Sequence, residues 1–210
     1  MYSTRFALVC ATALLFCSVQ ALAVPIEIVN WSFETPVTAD DTWGGFPDGW
    51  NNAGGTTKVI APVVNQPNAA HGRQVGVLWA NSWITQTLNQ SWLGNGTYTF
   101  TFSVAYASFS PSSPKARVYL RNANTGVNVG SWGADALSSR VWTTRTITIT
   151  DASAHAGSPI QLVFGNANTA TSYMFVDNLS LDGPVPEPAG VFAIATGLIG
   201  LAGMRVNRRR

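Results

Sequence analysis

Thr97-Tyr98-Thr99-Phe100-Thr101-Phe102-Ser103-Val104-Ala105-Tyr106-Ala107 is the stretch that decides the fold. Tyr98, Phe100, Phe102, Val104 and Tyr106 fall on one parity, with Thr99, Thr101, Ser103 and Ala105 on the other. Successive side chains of a strand point to opposite faces, so this run makes one aromatic face for a core and one polar face. Asn95-Gly96 just ahead supplies a turn, which predicts that segment 83–88 pairs with the run as a hairpin.

Outward from that strand, segments 26–31, 56–61, 74–79, 83–88, 115–121, 127–132, 141–150, 160–165 and 173–181 also read as strands. Gly, Pro, Asn or Ser clusters separate most of them, and helical periodicity is almost absent between residues 24 and 183. No internal repeat or shift in composition divides this span. The expectation is an all-β fold, a single two-sheet jelly-roll β-sandwich over 24–183.

The two ends differ from this middle. Residues 1–23 have one charged residue, Arg5, then an apolar run closing on Ala21-Leu22-Ala23, which reads as a signal peptide with a helical apolar body for signal peptidase to remove. Cys10 and Cys17 are the only cysteines and both lie in that leader. The mature chain then has no disulfide, thiolate nucleophile or cysteine metal site, and its own apolar core must hold it. The formal charge of +2 also comes from the ends. Between Val24 and Gly183 there are seven basic and nine acidic residues, which excludes a nucleic-acid footprint.

At the other end, Val185, Pro186, Glu187 and Pro188 precede an uncharged, mostly apolar stretch 189–204 and an Arg-rich end 205–210. Sixteen residues span roughly 24 Å as a helix, short for a bilayer core of about 30 Å, although Arg205 can snorkel. The prolines hold the motif extended and outside the helix. This order, over residues 184–210, resembles the PEP-CTERM sorting signal of exopolysaccharide-producing Gram-negative bacteria. The resemblance implies an exosortase as processing partner, a membrane helix before processing, and a cell-surface or extracellular-matrix destination.

Short motifs in the middle carry a second resemblance. Asn30-Trp31-Ser32-Phe33-Glu34, Asp48-Gly49-Trp50, Ile84-Thr85-Gln86-Thr87-Leu88 and Phe175-Val176-Asp177-Asn178-Leu179 resemble the galactose-binding-like jelly rolls, which include many carbohydrate-binding modules. In such modules a structural Ca²⁺ often joins the chain ends, which by position implies Glu34 and Asp177 as ligands, with nearby backbone carbonyls completing the oxygen coordination. Asp177 also stands out physically, because period-two reading places it in a row with Phe175, Leu179 and Leu181. A carboxylate so placed needs a partner: a cation, or loop amides at a strand end.

All eight tryptophans lie in the middle domain. Their flat rings can stack on sugar C–H faces or fill a core, as expected of Trp50 and Trp142. Trp43, in a Gly-rich loop, and Trp79, Asn81 and Trp83, where Asn81 offers an amide handle between the two rings, are the candidate carbohydrate-binding residues. Two distant histidines, with no metal-ligand spacing and no nucleophile elbow, give catalysis little support. The expectation is therefore no enzyme, but an exported, non-catalytic carbohydrate-binding module acting with exopolysaccharide in a biofilm. A structural matrix protein without sugar specificity, or a polysaccharide hydrolase with two facing carboxylates, are the alternatives.

Overall fold

Eleven strands form among the described residues: β1 (Ala23–Ile26), β2 (Asn51–Gly54), β3 (Thr57–Ile60), β4 (Val75–Trp79), β5 (Ser82–Ser91), β6 (Tyr98–Tyr106), β7 (Ala116–Asn122), β8 (Asn128–Ala134), β9 (Thr143–Ile149), β10 (Pro159–Asn166) and β11 (Tyr173–Pro184). The computed structural model describes residues 23–61, 68–106 and 110–184, and Ala23–Pro184 make one compact unit. One sheet runs β3-β4-β11-β6-β9, with β1 also paired to β11; the other runs β2-β5-β10-β7-β8. Every pairing is antiparallel. The signal helix, the motif residues Val185, Pro186, Glu187 and Pro188, and the membrane helix 189–204 lie outside the described residues. Within them, no helix is long and apolar enough to cross a membrane, and the 3-10 turn Ser153–His155 is the helical element assigned.

The alternation in β6 does what its pattern requires. Phe100 and Phe102 point into the core, and Phe164 of the facing sheet packs against both, at 6.0 and 5.8 Å between ring centres. Ile84 and Leu88 of β5 and Val118 and Leu120 of β7 complete the facing layer. Each such side chain contributes about 1.5–3 kcal/mol by leaving water.

The expected hairpin between segment 83–88 and the aromatic run does not form. β5 and β6 belong to different sheets, and each buries its apolar face in the core between them. The connecting segment crosses the sandwich end, where Trp92 packs edge-on against Tyr98 at 4.7 Å and the Tyr98 hydroxyl donates to the Leu93 carbonyl. Segment 26–31 is strand only at Ile26: Asn30 and Phe33 adopt positive φ (51° and 56°) and turn the chain over the sandwich. β2 was not foreseen.

The resemblance motifs fasten that turn. The Asn30 side chain donates to the Thr35 and Asp48 carbonyls. Phe33 stacks on Trp50 in the core, at 5.4 Å. Gln86, buried on β5, accepts from the Val29 N–H and donates to the Val29 and Gly49 carbonyls.

Candidate functional site

Asp177 is fully buried and stays on the side of Phe175, but Leu179 and Leu181 leave the row that the period-two reading gave them. A bulge between Asp177 and Ser180, with Asn178 at φ 53°, switches the parity of β11. Met174, Val176, Leu179 and Leu181 all reach the main core, while Phe175 joins a separate cluster with Val75 and Val77 on the outer side of the six-stranded sheet. Asp177 shares that outer side and is covered by the segment ahead of β4. One carboxylate oxygen accepts the His71 amide at 2.8 Å and the other the Asn178 amide at 2.7 Å. Burial, only partly offset by these amides, pushes its pKa up to about 7; the nearby Glu34 charge raises it slightly further.

Glu34 holds the same segment from the other side. Its Oε1 accepts the Arg73 and Gln74 amides at 2.8 and 3.0 Å. Three of the four carboxylate oxygens of the pair are thus bonded to backbone N–H groups. Calcium takes 6–8 oxygen ligands, whereas among the described residues no group of three or more His, Cys, Asp or Glu side chains gathers. The geometry is that of a carboxylate clamp on the 70–74 backbone, with no third His, Cys, Asp or Glu side chain gathered at the pair among the described residues.

The proposed tryptophan cluster separates. The chain crosses between sheets at Ala80-Asn81, so Trp79 ends on the outer side of the six-stranded sheet and Trp83 on that of the five-stranded one. Asn81, at φ 55°, shapes the turn and donates its amide to the Asn168 carbonyl. Trp79 lies edge-on to both Trp43 and Tyr173, at 5.8 and 5.9 Å, with the Lys58 ammonium 5.9 Å from its ring centre. Trp43, 37 % exposed, therefore packs its ring against neighbours and does not stand as a free platform. Trp50 is in the core as expected, whereas Trp142 packs on the outer cluster and donates its indole N–H to the Asn68 carbonyl.

Trp83 has a different setting. It lies flat over Gly165 of β10, where an added Cβ would come within 2.1 Å of the indole ring. Its plane is 6° from that of Tyr119 on β7, with ring centres 6.2 Å apart. Three cross-strand rows build this face: Trp83, Gly165 and Arg117; then Thr85, Val163 and Tyr119; then Thr87, Gln161 and Arg121. Their sequence neighbours Ile84, Phe164, Val118 and Leu120 fill the core, so strand alternation turns these rows outward.

Charge frames the two rings. At one end Arg117 pairs with Asp135 at 2.6 Å and donates to the Ala116 and Ala134 carbonyls. The hydrogen bond and charge of Arg117 hold the Asp135 carboxyl below its ordinary range. At the other end the Arg121 guanidinium lies 5.7 Å from the Tyr119 ring centre and donates to the Asn128 side chain at 3.0 Å. Of this platform, only Trp83 was singled out from sequence. Arg117, Tyr119 and Arg121 were legible as the odd parity of segment 115–121, opposite apolar Ala116, Val118 and Leu120.

A groove of about 510 Å³ also runs along β1 and β11, with Glu27, Trp31 and Asp182 among its lining. Its one ring, Trp31, is tilted against His71 at 4.4 Å between centres. One face of that ring is taken, and the groove has no second ring to make a platform.

The HpiC1-like family model, described as HpiC1 cyclase, matches residues 24–182. No curated protein matches the chain. Among solved structures, a Stig cyclase (Fisc) from Fischerella sp. TAU in complex with (3Z)-3-(1-methyl-2-pyrrolidinylidene)-3H-indole is similar, with TM-score 0.67 and 22 % identity over 79 % of this chain and 100 % of that one. A Fischerella sp. TAU cyclase in complex with 4-(1H-indol-3-yl)butan-2-one gives TM-score 0.63 and 23 % identity, covering 78 % of this chain and 100 % of that one. A carbohydrate-binding module, TmCBM61 in complex with beta-1,4-galactotriose, is more distant, at TM-score 0.50 and 18 % identity over 74 % and 97 % of the two chains. These likenesses establish the sandwich fold. The family match over the whole folded unit overturns the expectation of a non-catalytic carbohydrate-binding or biofilm matrix protein acting with exopolysaccharide: the family is one of cyclases. The motifs that suggested the binding modules belong to the scaffold, which such modules and cyclases share.

Proposed function

This chain belongs to the HpiC1 cyclase family, and from that premise we propose that it is an enzyme that closes a ring in a flat aromatic substrate laid on Trp83 and Tyr119. The observation that carries this choice of site is the parallel pair of half-buried rings on the outer face of the five-stranded sheet. The indole-bearing molecules held by the two Fischerella cyclases favour an aromatic substrate of that kind.

Ring closure joins two parts of one flexible molecule, so the first requirement is to restrict its conformations. Stacking the flat part on Trp83 and Tyr119 leaves the remainder free to fold back over it. Positive charge that develops during closure is attracted by the faces of the two rings. Asp135, held by Arg117, supplies a carboxylate acceptor for a ring N–H at one end. The Tyr119 phenol is the weak acid on the platform itself.

The test is binding of indole to the purified chain, followed by chromatographic assay of linear indole substrates for isomers of unchanged mass. Trp83→Ala with Tyr119→Ala should abolish both signals. Indole binding that survives this double substitution, or no isomerisation of any indole substrate, would sink the reading.

The destination of the enzyme is a second proposal, resting on the sequence of its ends. Signal peptidase removes residues 1–23, the stretch 189–204 holds the chain in the membrane before processing, and an exosortase acts at Val185, Pro186, Glu187 and Pro188. Cutting after Ala23 is compatible with the fold, since Val24 remains paired with Gly183. Cell fractionation and N-terminal sequencing test this; a cytoplasmic protein beginning at Met1 would overturn it.

A further inference from the structure

The charges around the platform are not equivalent. Among the described residues two ion pairs occur, Arg73 with Asp40 and Arg117 with Asp135. Arg121 is in neither. Its Nε is occupied by the neutral Asn128 amide oxygen, and its guanidinium lies over the Tyr119 ring, one row beyond the aromatic pair. The remaining N–H groups of the fork carry a positive charge that no carboxylate balances. Gln161 and Thr87, joined by a hydrogen bond of 3.2 Å, lie in the same cross-strand row and add neutral polar groups. The platform thus has a neutralised ion pair at one end and an unbalanced guanidinium at the other.

Resting on the proposed stacking site, we infer that its substrate carries an anionic group, a carboxylate or a phosphate, which Arg121 takes while the flat ring covers Trp83 and Tyr119. A guanidinium presents parallel N–H donors that match the two oxygens of such a group. Its placement over Tyr119 fixes the fork in orientation before the ligand arrives, which lowers the cost of ordering it. At the opposite end Asp135 already neutralises Arg117, so an anion finds no unbalanced charge there, and the two ends together set one direction of binding.

The experiment compares indole, indole-3-propionate and the neutral indole-3-propionamide as ligands of the purified full-length chain. The acid should bind about tenfold more tightly than the amide, as expected for a charge-assisted bidentate contact. Arg121→Gln should remove that preference, lowering affinity for the acid far more than affinity for indole, while Arg121→Lys should keep part of it. In the wild-type chain, where no substitution can disturb folding, the preference should shrink as salt rises. Equal binding of acid and amide, or a preference that persists in Arg121→Gln, overturns the anionic-substrate inference while leaving the stacking site intact. Failure of all three ligands, indole included, overturns both.

Discussion

The indole of Trp83 rests on the backbone of Gly165, where an added Cβ would lie within 2.1 Å of it. The absence of a side chain on β10 is therefore what lets the ring lie parallel to Tyr119. Gly165→Val should lift Trp83 off the sheet and weaken indole binding about tenfold, the size of a lost stacking contact. The measurement is indole affinity alongside near-ultraviolet circular dichroism, and full affinity with an altered tryptophan spectrum would contradict it.

Gln86 offers a test of the scaffold. Its side chain serves the Val29 N–H and the carbonyls of Val29 and Gly49, bonds that tie the incoming chain to β5. Gln86→Ala removes three part-buried hydrogen bonds and should cost about 2 kcal/mol in denaturant unfolding. A loss below about 1 kcal/mol would mean that water replaces the amide without penalty.

Gln86 also shows what the sequence made legible. Asn30, Phe33, Glu34, Trp50, Gln86 and Asp177 were read as signatures of a sugar-binding family, and each turns out to fasten backbone or fill the core. Such residues report the fold because they close it, and a closed scaffold says little about the chemistry on its surface. Alternation marked most of the strands, but pairing was misjudged for β5 and β6, since sequence adjacency and a turn signal favour a hairpin over a crossing. The bulge at Asn178 is invisible to a strict period of two, which therefore puts Leu179 and Leu181 on the face of Phe175 and Asp177. The platform stayed hidden for another reason: Trp83, Tyr119 and Gly165 come from three strands far apart in sequence, and cross-strand register alone brings them together.

Asp177 gives a prediction in pH. Its folded pKa of about 7 lies above the ordinary 3.8, so the folded state holds a proton that the unfolded chain releases between those values. The resulting stabilisation is fully present below 3.8, declines as pH rises, and is lost above about 7. Asp177→Asn should flatten this slope in a series of thermal melts. An unchanged slope would place the titrating group elsewhere.

The last prediction separates the two outer faces. Trp43 and Trp79 belong to an aromatic cluster on the six-stranded sheet, whereas Trp83 lies on the five-stranded one, with the whole core between them. Ligand stacking on Trp83 should therefore be indifferent to Trp43→Ala, whose ring is partly exposed and packs edge-on to Trp79. Trp83→Ala should lower indole affinity about tenfold or more. Trp43→Ala should cost at most about 1 kcal/mol of stability, through its lost contact with Trp79, and leave indole affinity within experimental error. The reverse pattern, loss of binding in Trp43→Ala and retention in Trp83→Ala, would move the ligand to the other sheet and remove Tyr119 and Arg121 from the site.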